Sequence, residues 1–256
     1  MQPVRKKSRK PWARVLAVMT ALLVAAVAGV ALAYPSVAAT ACPGCYGLTE
    51  VEDGVYGEAG MSGRQRAQVR QTVAEARRKV AGFYGGRVSS PTLLVCVTAA
   101  CYDRIGGGKE RGVAVLNRSV MLSPRGIDPV IASHEMSHVE LHSRLESGAE
   151  VPQWFDEGLA VVVSDDARYL APKPATAGRL TGKPTDRCLT ATTGSLPATL
   201  DQWLTAATED VATYAKSACA VSRWLDTNGG EKALASLISR LNAGEPFACL
   251  VPPPWP

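Results

Sequence analysis

All three histidines of this 256-residue chain, His134, His138 and His142, fall within nine consecutive positions, and the first two frame the pentapeptide His134-Glu135-Met136-Ser137-His138. Such a spacing has chemical meaning only on a helix. Residues i and i+4 are separated there by about 40° of rotation and about 6 Å of rise, so both imidazoles leave one face close enough to share one ion. Glu135 stands beside them, within reach of a metal-held water. Two neutral imidazoles, an open coordination position and a carboxylate that accepts a proton are what hydrolytic zinc chemistry asks for. The motif therefore demands one mid-chain helix with a polar, metal-facing side, one zinc ion, and a fold that wraps around both. His142, at i+8, lies about 12 Å along the same helix, too far to bind the same ion, and reads as a surface residue or, alternatively, as one that supports the ligands from outside.

Charge narrows the partners. The formal net charge is +5, from 28 Lys and Arg against 23 Asp and Glu. Six of the cations (Arg5, Lys6, Lys7, Arg9, Lys10 and Arg14) precede the first long apolar run, and without them 22 basic residues face 23 acidic ones. The body of the chain is thus near neutral, with no basic stripe and no expectation of a nucleic-acid partner. With 46% hydrophobic residues it can build a substantial core.

The apolar run Val15 to Ala33 contains no charged residue and is flanked by Trp12 and Tyr34, as interfacial aromatics would flank a span. Nineteen residues are enough to cross a bilayer, so a retained anchor is expected; cleavage at Ala31-Leu32-Ala33 or Ala39-Thr40-Ala41 would instead give a secreted protein. Both readings keep the basic tail in the cytoplasm and export everything after Tyr34. Seven cysteines suit that compartment. Cys96 with Cys101, Cys188 with Cys219, and a structural Cys42–Cys45 bridge are the pairings considered, with one thiol left over.

The expected organisation is a cytoplasmic tail over 1–11, a transmembrane or signal segment over 12–34, a Gly/Pro/Ala-rich tether over 35–63, a domain over 64–250 and a proline-rich tail over 251–256. Helical periodicity runs from Gln65 to Phe83. Strands are expected at Thr92 to Val97, Gly112 to Leu116 and Ser119 to Leu122. Pro129, with Asp128 as cap, opens the motif helix to about Leu145, and a second helix runs from about Pro152 to Ser164. Ala171 to Leu196 reads as an ordered loop or lid. Helices near Thr199 to Ala206, Asp210 to Asp226 and Glu231 to Leu241 follow, the last two separated by Asn228-Gly229-Gly230. The fold class is α+β.

The set His134-Glu135-x-x-His138, eighteen further residues, then Glu157 within Trp154-Phe155-Asp156-Glu157-Gly158-Leu159-Ala160, resembles the gluzincin metallopeptidases, which include aminopeptidase N and leukotriene A4 hydrolase. It is most similar to their compact peptidase MA-like domains, over roughly residues 110 to 245. The resemblance implies a zincin-like catalytic domain, in which a small sheet packs on the motif helix and a mostly helical part follows. It implies Glu157 as third zinc ligand and Asp156 as its non-ligating neighbour. It also implies a role for Tyr214, in Tyr214-Ala215-Lys216-Ser217, in stabilising a tetrahedral intermediate, although Ser217 replaces the family's glycine. The family's GxMEN-type segment, which holds a free amino terminus, has no counterpart, so aminopeptidase specificity is not implied.

The expected activity is zinc-dependent hydrolysis of a protein or peptide substrate outside the cytoplasm, with Glu135 as general base. The alternatives are a membrane-anchored zinc- or peptide-binding module without turnover, and a zinc hydrolase of cell-wall peptides. The sequence does not bear on oligomeric state.

Overall fold

Two short runs, Thr-Leu-Leu-Val and Ser-Val-Met-Leu, have too little polar character to leave either face of a strand in water, and in the folded chain both faces are covered. The structure, a computed structural model, describes residues 11–172, 186–191 and 194–252. Its five strands are β1 (Leu48–Glu52), β2 (Val55–Glu58), β3 (Thr92–Val95), β4 (Gly112–Val115) and β5 (Ser119–Leu122). They form one mixed sheet in the order β1-β2-β3-β5-β4. The central pairs β2/β3 and β3/β5 are parallel, while β1/β2 and β4/β5 are antiparallel, so β4 is an edge strand. Alternation sorts the side chains: Leu93, Val95, Val120 and Leu122 enter the main core, and Leu94 and Met121 enter a smaller one on the opposite face.

The helices, in chain order, are α1 (Pro11–Ala33), α2 (Pro35–Ala41), α3 (Gly63–Tyr84), α4 (Ala99–Arg104), α5 (Pro129–Arg144), α6 (Gln153–Ser164), α7 (Leu200–Glu209), α8 (Thr213–Asn228), α9 (Glu231–Asn242) and the short α10 (Phe247–Leu250). The main core is built on α3, α5, α6, α8 and α9. Helix α3 shows why: Val69, Val73, Ala76, Val80 and Phe83 recur at helical spacing and are buried. A Ser62–Gln65 capping box starts it, and Gly85, at φ 68°, ends it. Pro129 occupies the first turn of α5, and the Asp128 carboxylate accepts the Val130 N–H at 2.7 Å.

Residues 35–63 depart from the expected tether. They carry α2, a 3-10 turn at Pro43–Tyr46, and strands β1 and β2. Strands of five and four residues are too short for a period to emerge from the sequence; β1 pairs with its neighbour β2, and β2 is joined to the sheet by β3, far along the chain. Helix α2 seals the smaller core: Ala39 is fully buried and Thr40 Oγ1 lies 2.7 Å from Ser119 Oγ on β5. The chain passes from α1 to α2 through Tyr34 alone.

Val251, expected in a tail, is buried in the main core. The tail beyond it (253–256), the first ten residues, and 173–185 and 192–193 of the expected lid lie outside the described residues. Cys42–Cys45, Cys96–Cys101 and Cys188–Cys219 are disulfides, and Cys249 is free and exposed. In α1, Val15–Ala33 has a mean hydropathy of 2.7 and none of it is buried, so it is long and apolar enough to span a membrane or to serve as a signal sequence.

Candidate metal centre

Helix α5 is held to the loop between α3 and β3 by more than apolar packing. Glu140, fully buried, accepts the Val88 and Ser89 backbone N–H groups at 2.8 and 3.0 Å and pairs with Arg144 one turn on. These bonds fix the rotation of α5, and with it the direction in which the histidine face points. His134 and His138 lie one turn apart on that face, their ring centroids 4.9 Å from each other and their planes at 79°.

Helix α6 crosses α5 and supplies the third group. Glu157 Oε2 is 3.4 Å from His134 Nε2 and 3.7 Å from His138 Nε2, and these three donor atoms all lie within 4.8 Å of one another. Ligands about 2.0–2.1 Å from a zinc ion at tetrahedral angles stand about 3.3 Å apart, so the spacing and the N, N, O donor set both fit a zinc-sized ion. A second grouping, Asp186, Cys188 and Cys219, offers no such site because both sulfurs are in a disulfide.

The ligand atoms are oriented by a surrounding layer. Gln153, one turn before Glu157, donates its side-chain amide to Oε1 at 3.2 Å and so leaves Oε2 to face the imidazoles. Asp156 is buried between two histidines: Oδ1 is 2.7 Å from His138 Nδ1 and Oδ2 is 2.7 Å from His142 Nε2. With Nδ1 as the donor to Asp156, His138 presents an unprotonated Nε2 to an ion, the arrangement in which a carboxylate sets the tautomer of a ligating imidazole. Of the two readings of His142, the structure favours support of the ligands over a surface bystander. His142 is too far along α5 to join the ligands, but Asp156 reaches across from α6 to meet it.

Charge in the centre follows from burial and proximity. Burial disfavours the charged form of His138, but Asp156 and Glu157 outweigh it and push its pKa up to about 10 in the metal-free protein. Burial would raise Asp156, yet the His138 and His142 contacts hold it well below the usual carboxylate range. Burial pushes the Glu135 carboxyl up, against the opposing pull of His134 and His138.

Glu135 lies at the floor of a cleft of about 280 Å³ that opens over His134. One wall is the start of β4. A Cβ on Gly112 would come within 2.8 Å of Glu135 Cγ, so glycine there lets the strand edge lie against this carboxylate. Another part of the lining is aromatic, with Tyr169 and Tyr214. Tyr214, on α8, has its ring centroid 6.3 Å from that of His134, stacks on Tyr169 at 5.0 Å and meets Trp203 edge-on at 4.8 Å. Burial raises its hydroxyl pKa, so it is a neutral O–H donor at any ordinary pH.

His134, Glu135 and Tyr214 thus line one cleft, and His138 and Glu157 meet His134 behind that lining. Sequence reading missed Gln153, Tyr169, Trp203 and the Asp156–His142 bond. Gln153 carried a readable signal, its i, i+4 spacing to Glu157; the others depend on how α5, α6, α7 and α8 cross. No family model, curated protein or solved structure matches this chain.

Proposed function

We propose that the protein is a zinc-dependent metallopeptidase of gluzincin type, with a zincin-like domain held outside the cytoplasm by α1. The observation that carries this reading is the convergence of one ligand atom each from His134, His138 and Glu157 within 4.8 Å, with Glu135 and His134 both lining an open cleft. The three disulfides and the apolar α1 support the compartment.

Zinc held there supplies a Lewis acid that polarises a carbonyl and acidifies a water. The chain's own groups do the rest. Glu135, made more basic by its burial, accepts a proton from the attacking water and delivers it to the leaving amine. Tyr214 offers a hydrogen bond from the cleft wall to the oxygen on which charge develops, worth typically about 3 kcal/mol for a donor so placed. The edge strand β4 gives an extended peptide a row of backbone groups beside that oxygen. Tyr169 and Trp203 keep the Tyr214 ring in place through their contacts on both sides.

The test compares wild type with Glu135→Gln. Both bind one zinc per chain by elemental analysis, and the variant loses at least about 100-fold of the hydrolysis of an unfolded protein substrate. Equal activity in the two, or absence of stoichiometric zinc, defeats the proposal.

A further inference from the structure

The cleft is unequal in charge. Besides the groups at its floor, its lining carries Lys109, Arg111, Arg125 and Arg168 against a single carboxylate, Glu110. A chain that is near neutral beyond its N-terminal cations has therefore gathered positive charge at one place. Arg168 is answered by Asp166, and Glu110 is partly engaged by the Gly108 N–H. Lys109, Arg111 and Arg125 form no ion pair among the described residues.

The backbone that carries this rim is fixed in position. The Arg111 carbonyl accepts both the backbone N–H and the hydroxyl of Ser123, at 2.9 and 2.8 Å, and Arg125 donates to the Lys109 carbonyl. Gly126 passes so near that a Cβ on it would stand 1.9 Å from the Arg111 oxygen, so only glycine allows the approach. Arg111 directly precedes Gly112, the edge-strand residue against Glu135. At about 3.4 Å per residue, an extended peptide beside β4 would bring side chains one to three positions from the scissile bond within reach of these cations.

We infer that Lys109, Arg111 and Arg125 select peptides bearing a carboxylate side chain within about three residues of the bond to be cut. This rests on the peptidase reading above and adds a substrate class to it. The cations are exposed and the preference is one of charge, so salt weakens it.

The test is binding of three fluorescein-labelled peptides, identical except for two Glu, two Gln or two Lys, to zinc-loaded, detergent-solubilised full-length Glu135→Gln protein. The Glu peptide binds about tenfold tighter than the Gln peptide at about 50 mM salt, and the difference disappears near 0.5 M. The double substitution Lys109→Glu and Arg111→Glu turns the ranking towards the Lys peptide. Equal affinities, or an unchanged ranking in the charge-reversed protein, overturn the inference. Binding is read without turnover. A wild type that hydrolyses no peptide while the ranking holds overturns the peptidase reading alone, and no binding of any peptide overturns both.

Discussion

Asp156 uses both of its carboxylate oxygens on imidazoles, His138 on one side and His142 on the other. An amide at that position keeps the shape but removes the charge and one acceptor, so it cannot hold both rings in the same tautomers. Asp156→Asn is expected to weaken zinc binding by about 10- to 100-fold without loss of helicity, measured by competition with a chromophoric chelator. Unchanged affinity would remove Asp156 from its orienting role. His138 makes a separate prediction in pH. Its pKa of about 10 in the metal-free fold exceeds the ordinary value of about 6.5. Protonated His138 therefore contributes stability that is full below about pH 6.5 and is lost as pH rises through about 10. Zinc must displace that proton. Calorimetry at about pH 7.5, in buffers of different ionisation enthalpy, should show about one proton released from His138 per zinc, and no release would mean that His138 is already neutral in the metal-free protein.

At the scale of elements, the centre depends on how closely α6 lies on α8. A Cβ on Gly158 would stand 2.5 Å from the Ser217 carbonyl oxygen, so the glycine beside Glu157 sets the distance between the two helices. Ser217, where the resembled family has glycine, presents its backbone at this contact, and its own side chain is buried. Gly158→Ala must push the helices apart and is expected to cost about 1–3 kcal/mol. Gly82, exposed within α3 with nothing near its missing Cβ, is the control: alanine there should stabilise by about 0.5–1 kcal/mol. Thermal denaturation of the two metal-free variants decides the matter, and shifts of the same sign would refute the packing argument.

For the whole molecule, the segment between α1 and α3 is structural. Strands β1 and β2 cover the β3 edge, and α2 closes the smaller core over Leu94 and Met121. A protein beginning at Arg64 would expose the β3 edge and open that core, so it is expected to be insoluble, whereas one beginning at Tyr34 stays soluble and takes up zinc. Soluble expression and zinc content of the two truncations are the measurement; equal behaviour would return 35–63 to the role of a tether. Because only Tyr34 separates α1 from α2, a retained α1 would hold the domain directly at the membrane surface.

Much of this architecture is legible in sequence because it is local. Helix α3 announces itself by its period and the Gly85 stop, α5 by its Asp128 cap, and α6 and α9 by the Pro or Gly that precedes them, and the His134–Glu135–His138 face follows from helical geometry alone. Glu157 is legible only through the family resemblance that its spacing and surroundings carry, not from any crossing of helices that the sequence shows. Tertiary structure alone decided the rest. The His142–Asp156 bond, the Tyr169–Tyr214–Trp203 contacts and the cationic rim at Arg111 join groups from different elements, and the β1–β2 hairpin enters the sheet only through β3, far along the chain. Local patterns record what a residue does with its own helix or strand; contacts between elements depend on crossing angles and close approaches, such as that at Gly158, which no single segment encodes.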